Sequence, residues 1–150
     1  VLELGFDAIS PSRQWEAQVA TNHGRYLHLL RSMFRKYFPR IAPLDTYKYK
    51  DIIKHLYSKW DKQENVYPQI IPNWDRSPRG GRRAVIYTGS TPKLFKKNVE
   101  DALDIVKNKK SEHKIIFLRS WNEWAEGNYM EPDLKFGHGY LDALKEVVAE

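Results

Sequence analysis

The sequence predicts an α/β fold with parallel strands joined by crossover helices. Three observations carry this. Apolar runs of strand type alternate with segments of helical periodicity, in the order strand, helices, strand, helix, strand, helix. The run Ile115-Ile116-Phe117-Leu118 lacks polar alternation, as expected of a strand covered on both faces. The 150 residues are 41% hydrophobic and 29% charged, which suits one ordinary domain and not a disordered chain.

Residues 2–10, LELGFDAIS, alternate partly and end at a Ser-Pro, so they read as a short strand and a loop. Residues 26–38 set Leu29, Leu30, Met33, Phe34 and Tyr37 at helical spacing, with Lys and Arg between them. A helix packed on its own protein is expected here, in preference to one lying on a membrane surface. Pro39 and Pro43 stop it. Residues 48–60 form a second helical stretch, with Tyr49, Ile52, Ile53, Leu56 and Trp60 on one face. His55 falls off that row and reads as a surface histidine. Residues 66–75, VYPQIIPNWD, look like a strand cut short by Pro68 and Pro72. Residues 83–89 are another extended piece.

The segment from Ser90 to Lys110 is the clearest helix. Ser90 or Thr91 can cap it, Pro92 suits its first turn, and Leu94, Phe95, Val99, Ala102, Leu103 and Val106 form its apolar stripe. Residues 114–124 are the clearest strand. The last segment, from Gly139, is a helix with Tyr140, Leu141, Leu144 and Val148 inward. Such elements suit either a small open sheet or the second half of a (β/α)8 barrel, which needs ~250 residues in full.

The net charge is +6, spread over short basic places at 31–36 (RSMFRK), 79–83 (RGGRR) and 107–110 (KNKK). A solvated surface is the expected meaning, and no nucleic-acid partner is expected. The absence of cysteine excludes disulfides, thiolate chemistry and Cys-ligated metal. No apolar stretch approaches the ~20 residues of a membrane helix. No signal peptide is visible at VLELGFD, so a cytoplasmic location is expected.

The chemistry gathers at 120–133, SWNEWAEGNYMEPD. It lies just past the 115–118 strand, where α/β sheets and barrels place their ligand sites. Glu123 and Glu126 stand three residues apart among aromatic side chains. Indoles desolvate one carboxyl while hydrogen bonds hold another ionised, so one residue type supplies both an acid and a base. Glycoside chemistry uses such a pair. Trp121 and Trp124 offer flat faces for sugar C–H surfaces, and Asn122 can bond hydroxyls. Two alternatives stand beside this reading: a strand end with charges in water, or a hard cation held by Glu123, Glu126 and Glu131. No metal or other cofactor is expected.

WNEWAEG followed by EPD and YLDAL resembles the glycoside hydrolase family 99-like proteins, and most of all their WbsX-like branch, associated with bacterial lipopolysaccharide and surface-polysaccharide biosynthesis. GFDAISPS, YPQIIPNWDRSPR and GSTPKLF resemble segments of that branch in the same order, with Arg76 where Asn is usual. The likeness spans nearly the whole chain and is weakest over 13–45. It implies that residues 1–150 are one incomplete domain, the C-terminal part of a (β/α)8 barrel whose N-terminal half is missing. GFDAIS, QIIPNW and IIFLRSW would be about strands six, seven and eight. It also implies that Glu123 acts as base on a sugar 2-hydroxyl and Glu126 as general acid/base at the glycosidic oxygen. The substrate would be an oligosaccharide or polysaccharide, cleaved or transferred. A non-catalytic carbohydrate-binding domain or an inactive remnant is the alternative. Trp74, Asp75 and Arg79 would lie beside the same mouth, Asp75 on sugar hydroxyls and Arg79 on an acidic group. Arg82 and Arg83 read as a solvated turn.

Overall fold

In the computed structural model, which describes residues 4–149, short strands and helices alternate as the periodicities require. The strands are β1 (Asp45–Lys48), β2 (Gln69–Ile70), β3 (Trp74–Asp75), β4 (Val85–Thr88), β5 (Phe117–Leu118), β6 (Asn122–Glu123) and β7 (Asn128–Tyr129). The helices are α1 (Gln14–Thr21), α2 (Arg25–Tyr37), α3 (Tyr49–Ile52), α4 (Ser77–Gly80), α5 (Pro92–Val106) and α6 (Gly139–Val148).

One parallel ladder is laid down in chain order. Ile9 bridges Val66 in parallel, and β2 pairs in parallel with β5, Gln69 opposite Phe117. The two neighbours take opposite edges of the middle strand: Tyr67 donates to the Ile9 carbonyl, while Phe117 and Arg119 donate to the Pro68 and Ile70 carbonyls. A second sheet has the order β1-β4-β3, with β1 parallel to β4 and β3 antiparallel to it. β6 and β7 form a separate antiparallel pair.

α5 and α6 cover one side of the ladder. Phe95, Val99 and Ala102 of α5 meet Ile70, Met130, Tyr140 and Ala143 in one apolar cluster, with Phe95 set edge-on to Tyr140 at 5.7 Å. Full burial of each larger side chain there stabilises by about 1.5–3 kcal/mol. Thr91 caps α5, its hydroxyl accepting from the Leu94 amide at 3.3 Å. A second cluster joins Ala17, Tyr47, Tyr49, Ile52, Ile71, Trp74 and Tyr87. Tyr57 packs against both clusters. Its hydroxyl lies between the Gln69 and Asn98 carbonyls and accepts from Asn98 Nδ2 at 2.7 Å.

Several expectations are corrected. Residues 2–3 of the expected first strand lie outside the described residues, and of the remainder only Ile9 pairs. The helix expected over 48–60 stops after Ile52 and a single 3-10 turn, Ile53–His55. Asp61 takes over there: its carboxylate accepts from the Ser58 amide and hydroxyl and from Arg13 Nε, opening a new turn that leaves Trp60 exposed. The single strand expected over 66–75 breaks at Pro72 into β2 and β3, which join different sheets. β1 was not foreseen, because residues 45–48 carry no apolar run. β5 is covered on one face only: Ile116 and Leu118 pack inward while Ile115 and Phe117 are exposed. Among the described residues no second layer covers the face bearing Ile115 and Phe117, so the unbroken apolar run did not mean two covered faces. Val148, at the end of α6, is also exposed. The parallel ladder, with helices between its strands, makes this a mixed α/β fold.

Candidate active site

Because β2 and β5 run in parallel, their carboxyl ends lie at the same side. Past β2 the chain enters β3 and then α4. Past β5 it turns into the β6–β7 hairpin around a 3-10 turn, Trp124–Glu126. Two asparagines tie these segments together. Asn128 Nδ2 donates to the Asn73 carbonyl at 2.6 Å, and Asn73 Oδ1 accepts from the Tyr129 amide at 3.0 Å. Gly127, at φ +51°, lies so close to β3 that a Cβ there would stand 2.8 Å from the Asp75 Cβ.

This tie brings Glu126 against the arginines of the next loop. Glu126 Oε1 accepts from Arg79 Nη1 at 3.0 Å and lies 3.2 Å from Arg76 Nε. Arg79 Nη2 is 4.0 Å from Glu123 Oε1, so one guanidinium reaches both carboxylates. The Glu126 side chain is 13% exposed and that of Glu123 42% exposed. Beside them Trp124 stacks on Tyr129 with ring centroids 3.8 Å apart and planes 17° from parallel. Trp124 Nε1 donates to Glu131 at 2.6 Å, and the Tyr129 hydroxyl donates to Asp133 at 3.1 Å. Burial, followed by the Asp133 carboxylate, pushes the Tyr129 phenol up to about 12, so at neutral pH it is a hydrogen-bond donor. A cavity of about 320 Å³ opens alongside, lined by Asn73, Trp74, Asp75, Gly127, Tyr129 and Asp133 among others.

The residues named from sequence thus gather at one end of the ladder in different roles. Trp74 is 4% exposed and belongs to the core, with the Arg119 guanidinium 5.0 Å from its ring centre. It can floor the cavity but has no free face for a sugar. Asp75 spends Oδ1 on the Ser77 amide at 2.8 Å, which starts α4. Trp121 and Trp124 are about half exposed, and Asn122 is exposed in β6, opposite Tyr129. Glu131 is taken by the Trp124 indole and does not converge with the other two glutamates. Among the described residues no group of three or more His, Asp or Glu is arranged to hold a metal ion. Sequence reasoning missed Arg76, Tyr129, Asn73 and Asp133. The departure at Arg76 from the usual Asn was a signal for the first, and the aromatic density around Trp124 for the second. Nothing in the sequence pointed to Asn73.

Carboxylates, arginines and stacked aromatics thus gather beyond the ends of parallel strands in this mixed α/β protein. The chain belongs to the family described as glycosyltransferase WbsX, whose model matches residues 2–144. Two relatives, each described as uncharacterized protein WxcX, come from two strains of Xanthomonas campestris pv. campestris. Each is 29% identical over 108 residues, covering 69% of this chain and 15% of the relative. No solved structure matches.

Proposed function

We propose that this chain carries the reacting carboxylates of an enzyme that cleaves or transfers glycosidic bonds in bacterial surface-polysaccharide metabolism. It would be the C-terminal part of a (β/α)8 barrel. The observation that supports this most is the bridging of Glu123 and Glu126 by Arg79 at the shared carboxyl end of β2 and β5. The chain-order ladder and the uncovered edge of β5 agree with a barrel that continues beyond it. In the proposed reaction Glu123 takes the proton of the sugar 2-hydroxyl, and the 2-oxygen attacks the anomeric carbon. The bond to the leaving oxygen breaks as Glu126 delivers its proton to that oxygen. Arg79, drawn off Glu126 by substrate, would then hold an acidic or hydroxyl-rich sugar.

The full-length protein, incubated with defined mannose-containing and surface-polysaccharide oligosaccharides, tests this by product analysis. Glu126→Gln should slow reaction by roughly 10²–10⁴-fold, the usual worth of acid–base catalysis. A substrate with a good leaving group should restore much of that loss. Glu123→Gln should not be rescued equally, because its part is to activate the attacking oxygen. Near-wild-type rates in both variants would remove the pair from catalysis. A carbohydrate-binding domain is the second reading. It is favoured by one observation: both Arg76 and Arg79 engage Oε1 of Glu126, which commits that oxygen to ion pairs.

A further inference from the structure

Helix α2 is attached to the protein by its polar side. His28 is buried, its Nδ1 2.9 Å from Asn22 Nδ2. Arg31 donates to Asn22 Oδ1, and Arg35 pairs with the buried Asp45 at 2.7 Å. Residues 28, 31 and 35 share one face of a helix, at spacings of three and four. The apolar residues therefore point outward. Tyr26, Leu30, Met33 and Tyr37 follow the same spacing on the opposite side, joined by Leu29 and Phe34, and all are exposed, Met33 at 54% and Tyr37 at 65%.

The charge around this face is one-sided. From Ala17 to Leu44 the sequence has no Asp or Glu but has Arg25, Arg31, Arg35, Lys36 and Arg40. The loop carrying Arg82 and Arg83 is fastened to the same end of α2, since Arg82 donates to the Pro39 and Ala42 carbonyls at 3.2 and 3.0 Å. Between them lies a cleft of about 440 Å³ lined by Lys36, Arg82 and Arg83, whose one acid, Asp45, is spent on Arg35. The two basic segments that the active-site reading leaves unused thus meet at one place.

We propose that α2 lies on the surface of an anionic lipid bilayer, with Leu30, Met33, Phe34 and Tyr37 among the acyl chains and Lys36, Arg40, Arg82 and Arg83 on lipid phosphates. An apolar face flanked by cations, with its one neighbouring acid already paired to Arg35, is the pattern of a helix lying in a membrane interface. A second copy of the chain fits poorly, because two such faces would oppose cation to cation.

Co-sedimentation of the full chain with vesicles tests this, using phosphatidylcholine alone or mixed with phosphatidylglycerol. The wild-type protein should bind the mixed vesicles, bind phosphatidylcholine alone more weakly, and release as salt screens the charges. Leu30→Ser with Phe34→Ser should weaken binding on the order of tenfold or more, since each withdraws a large apolar group. Lys36→Glu with Arg40→Glu alters only exposed side chains outside the polar seam and should abolish the preference for phosphatidylglycerol. Circular dichroism and light scattering confirm fold and mass in each case. If the serine variant fails to fold, the charge-reversal pair still decides. The proposal is overturned by a folded wild-type protein that ignores mixed vesicles or by equal binding of the charge-reversed variant. It is also overturned by a folded serine variant that binds equally, or by an oligomer that the serine variant disperses.

Discussion

Gly127 decides whether the hairpin carrying Glu126 can lie against β3. Its φ of +51° is left-handed, and a Cβ would meet the Asp75 Cβ at 2.8 Å and the Asp75 backbone at 3.0 Å. Gly137 has nearly the same φ, +54°, but nothing within 4 Å of a Cβ. Gly137→Ala should therefore cost only the backbone strain of about 1–2 kcal/mol. Gly127→Ala should add about 1–3 kcal/mol of overpacking. Denaturant unfolding of the two variants measures the difference, and equal losses would mean that Asp75 yields freely. The same push would move Glu126 away from Arg79, so Gly127→Ala should also lower any activity more than Gly137→Ala. At this scale the sequence made Glu123, Glu126 and Arg79 legible as candidates, because their residue types and strand-end position carry chemical meaning. It did not reveal the bond from Arg76 to Glu126, since an arginine just past the end of β3 can point anywhere until the chain beyond is folded over it.

Among the elements, α2 departs most from its expected packing. Its bounds, Arg25–Tyr37, agree with the periodicity, but the apolar stripe faces outward. Asn22 is the reason. Buried at the end of α1, it donates to the Tyr47 hydroxyl at 3.0 Å, contacts His28 and accepts from Arg31. Three elements are joined through one amide, and the polar side of α2 supplies two of its partners. Asn22→Ala would leave buried polar groups unpaired and should cost about 1–3 kcal/mol. Hydrogen exchange should show the loss falling on α2, whose amides would exchange faster, while those of α5 stay protected. Uniform loosening of both helices would show that α2 is held by something other than this amide. Periodicity could find the helix because it depends on local spacing. It could not find which side is held, because the holding groups lie in α1 and β1.

Across the whole molecule the core is unusually phenolic. Burial pushes Tyr47 and Tyr87 up to about 12, and it also raises Tyr49, Tyr57 and Tyr140. In the unfolded chain these phenols titrate near 10. Between about 10 and 12 the native state keeps protons that the unfolded state has lost, so stability falls as pH rises through that window. Below about 10 both states are neutral at these positions and the contribution is fully present. Alkaline titration should therefore show the tyrosinate absorbance of the buried phenols appearing in a steep step together with loss of helical ellipticity, while the exposed Tyr26 and Tyr37 ionise independently of unfolding. Ionisation of all nine tyrosines with helical ellipticity intact would count against a buried phenolic core.

The sequence by itself determined the class of fold, the bounds of α2 to within a residue, the start of α5, and a set of candidate site residues. Those properties depend on local periodicity, capping and residue chemistry. Tertiary structure alone decided the rest. It split the 66–75 segment between two sheets, because Pro72 interrupts pairing and β4 offers β3 a partner from 10 or so residues further on. It left β5 with one covered face, because an apolar run does not record whether another layer packs on its second side. It turned α2 outward, because a polar anchor from α1 outweighed the helix's own apolar stripe. It also set two arginines on Glu126, because Asn73 and Asn128 lock the hairpin to the preceding strand, and such long-range bonds exist only once both segments are in place.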